Sequence, residues 1–339
     1  MLRLWALLLL AIACDDSSSP APMANAFAQR LAGDYTAQTD SLGGATYWMR
    51  VGAGGISIEL IERGIGIRTM ASNEWEALDE DAGIIRIGGT GPIAMLSGND
   101  SLLVLQRTDG GDSLVFTRTT VMPDPESWLG TIEVLAQFDA PDLVPTDFAW
   151  DGTGILFPGR VLGIPIQRMN PAMNMQIDLS IPVSHSGNAV AYTPECLWGD
   201  DWLERRLYKL DGVTGETRLA TRFVGATAIR GLSITSAGAV CISSANTIHV
   251  FDASKGVIDS VDLFQPAEGL ENIGDVTYAA LGASGIARIE GPPWRAKATY
   301  ALAGLDVHGL AFDGTYWWLS VIDRRGATTT RVVRARLIQ

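Results

Sequence analysis

The chain has 339 residues, 47% of them hydrophobic, enough to fill one or two sizeable cores. Its formal net charge is −13, and the nearest thing to a basic cluster is the set of spaced arginines in "RRGATTTRVVRAR" (324–336). These alternate with apolar residues as in a half-buried strand, so the chain carries no electrostatic footprint for nucleic acid, and an acidic surface excludes broad attraction to anionic lipid.

Ten apolar residues run from Leu4 to Ala13. A spanning helix needs about 20, so this stretch is too short to cross a bilayer. Arg3, the short apolar run and the small residues that end it have the order of an export signal. The tetrapeptide "AIAC" (11–14) resembles the lipobox of bacterial lipoproteins. That resemblance implies cleavage before Cys14, which becomes the mature N-terminus and carries the acyl chains. The polar, Ser/Pro-rich "DDSSSPAPMANA" that follows suits a tether. The expected division is therefore a signal peptide over 1–13 and a flexible tether over 14–26. Two or more acyl chains hold a protein stably at a membrane, so the expected location is the bacterial cell envelope, by lipid anchor, with inner and outer membrane both open. The alternative is an ordinary secretory signal, with Cys14 incidental.

Glycine is abundant, at 37 residues, and helical periodicity is nearly absent. Short alternating apolar runs separated by Gly, Asp-Gly and Pro predict an all-β chain. Between 27 and 120 the runs include "DYTAQT", "ATYWMRV", "ISIELIE", "GIIRIG", "SLLVLQR" and "DSLVFTR". Ile56, Ile58 and Leu60 alternate with Ser57 and Glu59, which predicts one buried and one exposed face. Many strands joined by tight turns in under 100 residues predict a small antiparallel barrel, because closure removes exposed edges. The opening "LAGDY" and closing "LVFTRTT" resemble the ends of lipocalin-like domains, with Tyr35 where that family has tryptophan. Residues 121–130 are expected to be a linker.

Residues 131–339 repeat. "DFAWDGTGILF" (147–157) and "GLAFDGTYWWL" (309–319) are each an apolar strand, an Asp-Gly turn and a second apolar strand. Taking Phe148, Val190, Leu232, Val276 and Leu310 as the first apolar residues gives five units spaced by 42, 42, 44 and 34 residues. Four strands per unit of roughly 42 residues predict the blades of a β-propeller. "LYKLDGVTGE" and "IHVFDASKGV" resemble the third strand and turn of YVTN-like and quinoprotein-like propellers. The last unit lacks a fourth strand, and "TIEVLAQFD" (131–139) is a surplus strand that would complete it. Five blades are expected. The alternative is a single seven-bladed propeller in which residues 34–120 supply two more.

No nucleophile elbow, P-loop, HExxH, paired CxxC or EF-hand loop is present. Asp151-Gly152 and Asp313-Gly314 are turn formers, His249 is a strand residue, and Trp202 is either a binding anchor or the staple of its own loop. Cys196 and Cys241 are either a disulfide or two separately buried thiols. A propeller gathers the segments that lead into its inner strands at one mouth of the central channel. There the sequence places Asp147, His185 with Asn188, Arg230, Asp275 with Glu271 and Asn272 close by, and His308. Such a ring would hold a polar ligand, a divalent metal through imidazole and carboxylate, or an acid/base pair. The plainer explanation is that channel mouths are wet and loop Asp and Asn are turn formers.

The favoured functional expectation is a membrane-anchored lipoprotein that binds a small molecule or protein, with no catalysis assigned and no cofactor required. Two alternatives stay open. One is a metal-dependent hydrolase or lactonase at the mouth, resembling gluconolactonase-type propellers, which needs several carboxylates with Asn or His on one ion. The other is an envelope-assembly scaffold whose blade edges pair with partner strands.

Overall fold

The computed structural model of the chain describes residues 26–39, 44–79, 84–87, 93–96, 102–106, 113–140, 147–159, 164–183, 187–201, 203–223, 228–323 and 329–339. The expected signal, most of the tether, Cys14, His185 and Trp202 lie outside the described residues. The fold is all-β. Among the described residues two short α-helices, α1 (Ala26–Leu31) and α2 (Pro125–Trp128), accompany 28 strands, and no helix among them is long and apolar enough to cross a membrane.

Strands β1 (Gly33–Thr39), β2 (Ala45–Val51), β3 (Ile56–Arg63), β4 (Ile67–Asp79), β5 (Ile84–Ile87), β6 (Ile93–Leu96), β7 (Leu102–Gln106) and β8 (Leu114–Thr119) follow one another around a closed barrel. The alternation expected in β3 fails at its start. Ile56 is 54% exposed, and Ser57 is buried with its hydroxyl donating to the Asn73 carbonyl at 3.3 Å. The cause is the adjacent turn: Gly52 N–H donates to the Ile56 carbonyl at 2.8 Å, so Ile56 sits at the hairpin end.

The chain divides into two compact units: one runs to Tyr35 and adds Arg50–Ser57 and Asn73–Thr119, and the other comprises Thr36–Met49, Ile58–Ser72 and Thr120–Gln339. In the first unit the two end motifs meet. The Arg118 guanidinium lies 5.3 Å from the Tyr35 ring centroid and bonds the Tyr35 hydroxyl at 2.8 Å, and that hydroxyl donates to the Leu31 carbonyl at 2.7 Å. Residue types far apart in sequence thus clasp the first strand to the last.

In the second unit, β9 (Gly130–Asp139) precedes a run of antiparallel meanders. The first is β10 (Ala149–Trp150), β11 (Ile155–Phe157), β12 (Ile166–Asn170) and β13 (Gln176–Ile181). The second is β14 (Val190–Thr193), β15 (Cys196–Asp201), β16 (Arg206–Leu210) and β17 (Thr217–Arg222). The third is β18 (Ile229–Ile234), β19 (Val240–Ser244), β20 (Thr247–Asp252) and β21 (Gly256–Asp262). The fourth is β22 (Gly269–Ile273), β23 (Val276–Ala280), β24 (Ile286–Glu290) and β25 (Arg295–Ala301). The last is β26 (Leu305–Phe312), β27 (Trp317–Asp323) and β28 (Thr329–Ile338), to which β9 adds antiparallel, from Thr131 opposite Ile338 to Asp139 opposite Arg331. A brief parallel pairing of Gly130 and Thr131 with Tyr300 and Ala301 joins the fourth and last meanders into one eight-stranded sheet.

The strand rhythm explains the packing. In β19, Val240 and Ile242 enter one core cluster while Cys241 between them enters another, as a period of two requires. Five such clusters each fill the space between two neighbouring meanders, and the series closes where Phe148 and Ile155 of the first unit of the repeat meet Trp318 and Val332 of the last. Fully burying one such side chain contributes roughly 1.5–3 kcal/mol. The first strands β10, β14, β18, β22 and β26 contact one another in a closed ring.

The Asp-containing turns are local and strong. Asp151 Oδ1 accepts the N–H groups of Thr153 and Gly154, Asp313 Oδ1 those of Thr315 and Tyr316, and Asp211 and Asp252 do the same after the third strands. Residues 121–130, expected as a linker, carry the buried Trp128. Its indole N–H donates to the Thr69 carbonyl at 3.0 Å, and Arg68 lies 4.6 Å over its ring. In the same unit the Ile58–Ser72 segment docks on β25, with Ala296 N–H donating to the Ile65 carbonyl at 2.9 Å and Ile67 buried in a core cluster.

One expectation is corrected and one open alternative is resolved. Val276 does not begin a first strand but the second strand of its meander; the first strand is β22, so Leu270 is the true repeat position. The steps from Phe148 through Val190, Leu232 and Leu270 to Leu310 become 42, 42, 38 and 40, more even than the expected series. Cys196 and Cys241 are free, buried thiols in different core clusters, because each faces the space on a different side of the third meander.

Candidate functional site: an axial cavity

Each first strand stands at the end of its meander and, apart from a bridge between Val307 of β26 and Gly282, has no strand on its other side, so that edge of N–H and C=O groups faces the axis of the ring. What fills the axis is decided at the residue before each Phe148-like position: Asp147, Ala189, Gly231, Gly269 and Gly309. A Cβ on Gly269 would fall 2.6 Å from the His308 carbonyl oxygen and 2.8 Å from Asp147 Oδ1, and one on Gly231 would fall 2.8 Å from the Gly269 Cα. Glycine therefore lets three backbones converge, and Asp147 takes the space they leave.

Asp147 is fully buried. Its Oδ2 accepts the Leu232 N–H at 2.7 Å and its Oδ1 the Leu270 N–H at 3.2 Å, so one side chain satisfies the edges of two other first strands. Burial pushes its carboxyl well above the usual carboxylate range, against these two hydrogen bonds, with the neighbouring Glu271 adding to the rise.

Three other predicted ring residues hold equivalent places one position earlier. Arg230 and His308 are each the extra residue of a β-bulge, between Ile229 and Gly231 and between Val307 and Gly309. Asn188 N–H donates to Asp200 Oδ1 at 2.7 Å, and its side-chain amide donates to the Ile229 carbonyl at 3.2 Å. The fourth place belongs to Glu268, which the sequence reasoning missed, and it pairs with Arg230 at 2.5 Å. Asp275 is not in this ring. It lies exposed in the turn from β22 to β23, at the far end of the strand, and accepts the Ser236 hydroxyl at 2.6 Å. His185 lies outside the described residues. This end of the axis is thus largely occupied by internal pairing. Asp200 beside it is buried, pushed up to about 7 by desolvation, with Oδ2 unpartnered among the described residues.

The other end of the ring opens. A cavity of about 110 Å³ lies there, with walls drawn from all five first strands, including Trp150, Tyr192, Ser233, Glu271, Asn272 and Phe312. Glu271 accepts the Asn272 N–H at 3.1 Å and the free edge N–H of Phe312, yet burial pushes its carboxyl up to about 8. Asn272 reaches the neighbouring meander, where its amide donates to Ser233 Oγ at 2.6 Å, while its oxygen accepts the hydroxyl of Thr277 on β23 of its own meander at 2.7 Å. This network braces β22 against β18 while Glu271 borders the cavity.

Chemically, Glu271 is a neutral carboxylic acid at neutral pH. It donates a hydrogen bond, exchanges a proton, or ionises against a bound cation. Among the described residues no group of three or more His, Cys, Asp or Glu side chains converges as a metal-ligand set. The signal for Glu271 in the sequence was a polar pair inside a strand of an otherwise apolar repeat.

No family model matches the chain, and no curated protein matches it. The solved structures similar to it are β-propeller-like. Glutaminyl cyclase from Myxococcus xanthus is 14% identical, with a TM-score of 0.49 over 62% of this chain and 97% of that one. Hydrazine synthase from Kuenenia stuttgartiensis is 15% identical, with a TM-score of 0.39 over 60% of this chain and 67% of that one. The WD40 domain of Neurospora crassa Pan2 is 12% identical, with a TM-score of 0.36 over 89% of each chain.

Proposed function

We propose that the chain is an exported bacterial lipoprotein, anchored to the cell envelope through Cys14, that binds a small ligand or a side chain of a partner protein in the axial cavity. The tether of 14–26 leads to a small lipocalin-like barrel over 27–120, and residues 131–339 are a five-bladed propeller. The clasp of Tyr35 by Arg118 supports the barrel, and the ring of five first strands with β9 completing the last meander supports five blades over seven.

One observation carries the binding role. A cavity walled by all five first strands holds a half-buried carboxyl, Glu271, that no cationic side chain in the lining neutralises. Asp147 has both oxygens taken by backbone amides inside the ring, whereas Glu271 accepts a backbone N–H and still borders the open cavity. Binding is favoured over metal-dependent hydrolysis because the cavity offers one carboxyl, whereas a hydrolytic ion needs several ligands. The test is a thermal-shift screen of small polar solutes on the wild type, Glu271→Gln and Asp275→Ala. Solutes that stabilise the wild type should lose their effect in Glu271→Gln and keep it in Asp275→Ala. An unchanged response in Glu271→Gln would place the ligand elsewhere.

A further inference from the structure

Among the described residues that line the axial cavity, Glu271 is the one carboxyl, and no lysine, arginine or histidine accompanies it. The charged or titratable groups near it are Asp147, from the segment leading into β10, and Tyr192 in the same wall. Asp147 has both oxygens committed to the Leu232 and Leu270 amides. The first-strand edges add backbone carbonyls along the axis, while the rings of Trp150 and Phe312 turn away into the cores between meanders, against Trp318 and Trp317. A half-buried acid without a basic partner, in a polar cavity edged by backbone carbonyls, has the chemistry that receives a positive charge.

We propose that the cavity takes a small organic cation, a primary or methylated ammonium group, which pairs with Glu271 as its carboxylate. This rests on the axial cavity being the ligand site. The exchange is balanced: the Glu271 carboxylic acid releases its proton to solvent as the ammonium enters, and no other group changes charge. A metal ion fits less well, since it requires several convergent side-chain ligands and the described residues bring no such set together. The pH signature follows from the raised carboxyl. Below about pH 8 the cation must displace a proton, so affinity rises with pH, and above that it levels off.

The experiment is calorimetric titration of the full chain with methylammonium and tetramethylammonium from pH 6 to 9. It is run in two buffers of different ionisation enthalpy, neither of them an amine, with acetamide and calcium chloride as comparison solutes. An ammonium Kd that tightens by about tenfold per pH unit between 6 and 8, with release of one proton, is the expected result. Glu271→Gln, which keeps an acceptor for the Phe312 N–H, should bind more than tenfold more weakly and lose the pH slope. Proton release is read on the wild type alone, so a poorly folding variant leaves the test intact. Ammonium binding without proton release overturns the inference, as does calcium bound in preference to ammonium. Acetamide bound as tightly as methylammonium and lost in Glu271→Gln overturns the inference but keeps the cavity as the ligand site. If no solute binds at any pH, both fail.

Discussion

The Asp147 carboxyl group accepts the Leu232 backbone N–H at 2.7 Å across 85 positions of chain, and through its other oxygen it holds Leu270 as well. One side chain therefore ties the first strand of the repeat to the third and fourth. An unsatisfied buried N–H costs about 1–3 kcal/mol. Asp147→Ala should lower stability by about 2–5 kcal/mol in urea unfolding, since two such groups lose their acceptor. Asp147→Asn, which keeps one acceptor oxygen, should cost less. A neutral Asp147→Ala would contradict the bracing role.

The buried carboxyls set the pH dependence of folding. Burial raises Asp147, Asp200 to about 7 and Glu271 to about 8. Unfolded, these groups lose their protons near pH 4, whereas the folded chain keeps those of Asp200 and Glu271 to about pH 7 and pH 8, so stability falls as pH rises through that window. Backbone N–H groups of Thr214 and Val213 hold Asp211 below the usual range, and Ser254 does the same for Asp252, so their contribution is present above about pH 4 and lost on acidification. The melting temperature should peak near pH 4 to 4.5 and fall by several degrees towards pH 8.5. Calorimetry checks this, and Glu271→Gln with Asp200→Asn should flatten the alkaline limb. A melting temperature that climbs from pH 5 to 8 would contradict it.

Closure of the last meander depends on β9, which pairs with β28 from Thr131 to Asp139. A chain beginning at Ala140 should expose the β28 edge and aggregate. A chain beginning at Ser127 should fold, with lower stability because it lacks the Ile58–Ser72 segment that covers β25. Size-exclusion chromatography and thermal unfolding separate these outcomes, and a soluble, cooperatively unfolding Ala140 chain would reject the closure.

Anchoring is checked by labelled palmitate. Wild-type chain should take up label in a bacterial host, and Cys14→Ser should take up none and stay unprocessed. Unlabelled wild type would show that the export signal is of the ordinary secretory kind.

Much of the architecture was legible because period-two apolar runs and Asp-Gly turns recur wherever a meander packs on its neighbours. β9 was identifiable as the closing strand because the last repeat ran short of one. The phase of the fourth repeat was not legible, for a physical reason. β22 reads Gly-Leu-Glu-Asn-Ile, and its two central polar residues serve the cavity and the brace to Ser233 rather than an apolar core. Apolar counting therefore passed over the strand that carries Glu271 and settled on Val276, which drew Asp275 into the ring in place of Glu268. The same local break in pattern that hid the strand marks the site.

The most direct measurement is a carbon-13 NMR titration of the Glu271 carboxyl in the full chain, assigned by its loss in Glu271→Gln. An apparent pKa near 8 is expected for the free protein, as burial at the axial cavity requires, with a fall on saturation by methylammonium. A value near 4.5 in the free protein, unmoved by methylammonium, would show Glu271 to be an ordinary solvated carboxylate and would contradict the account.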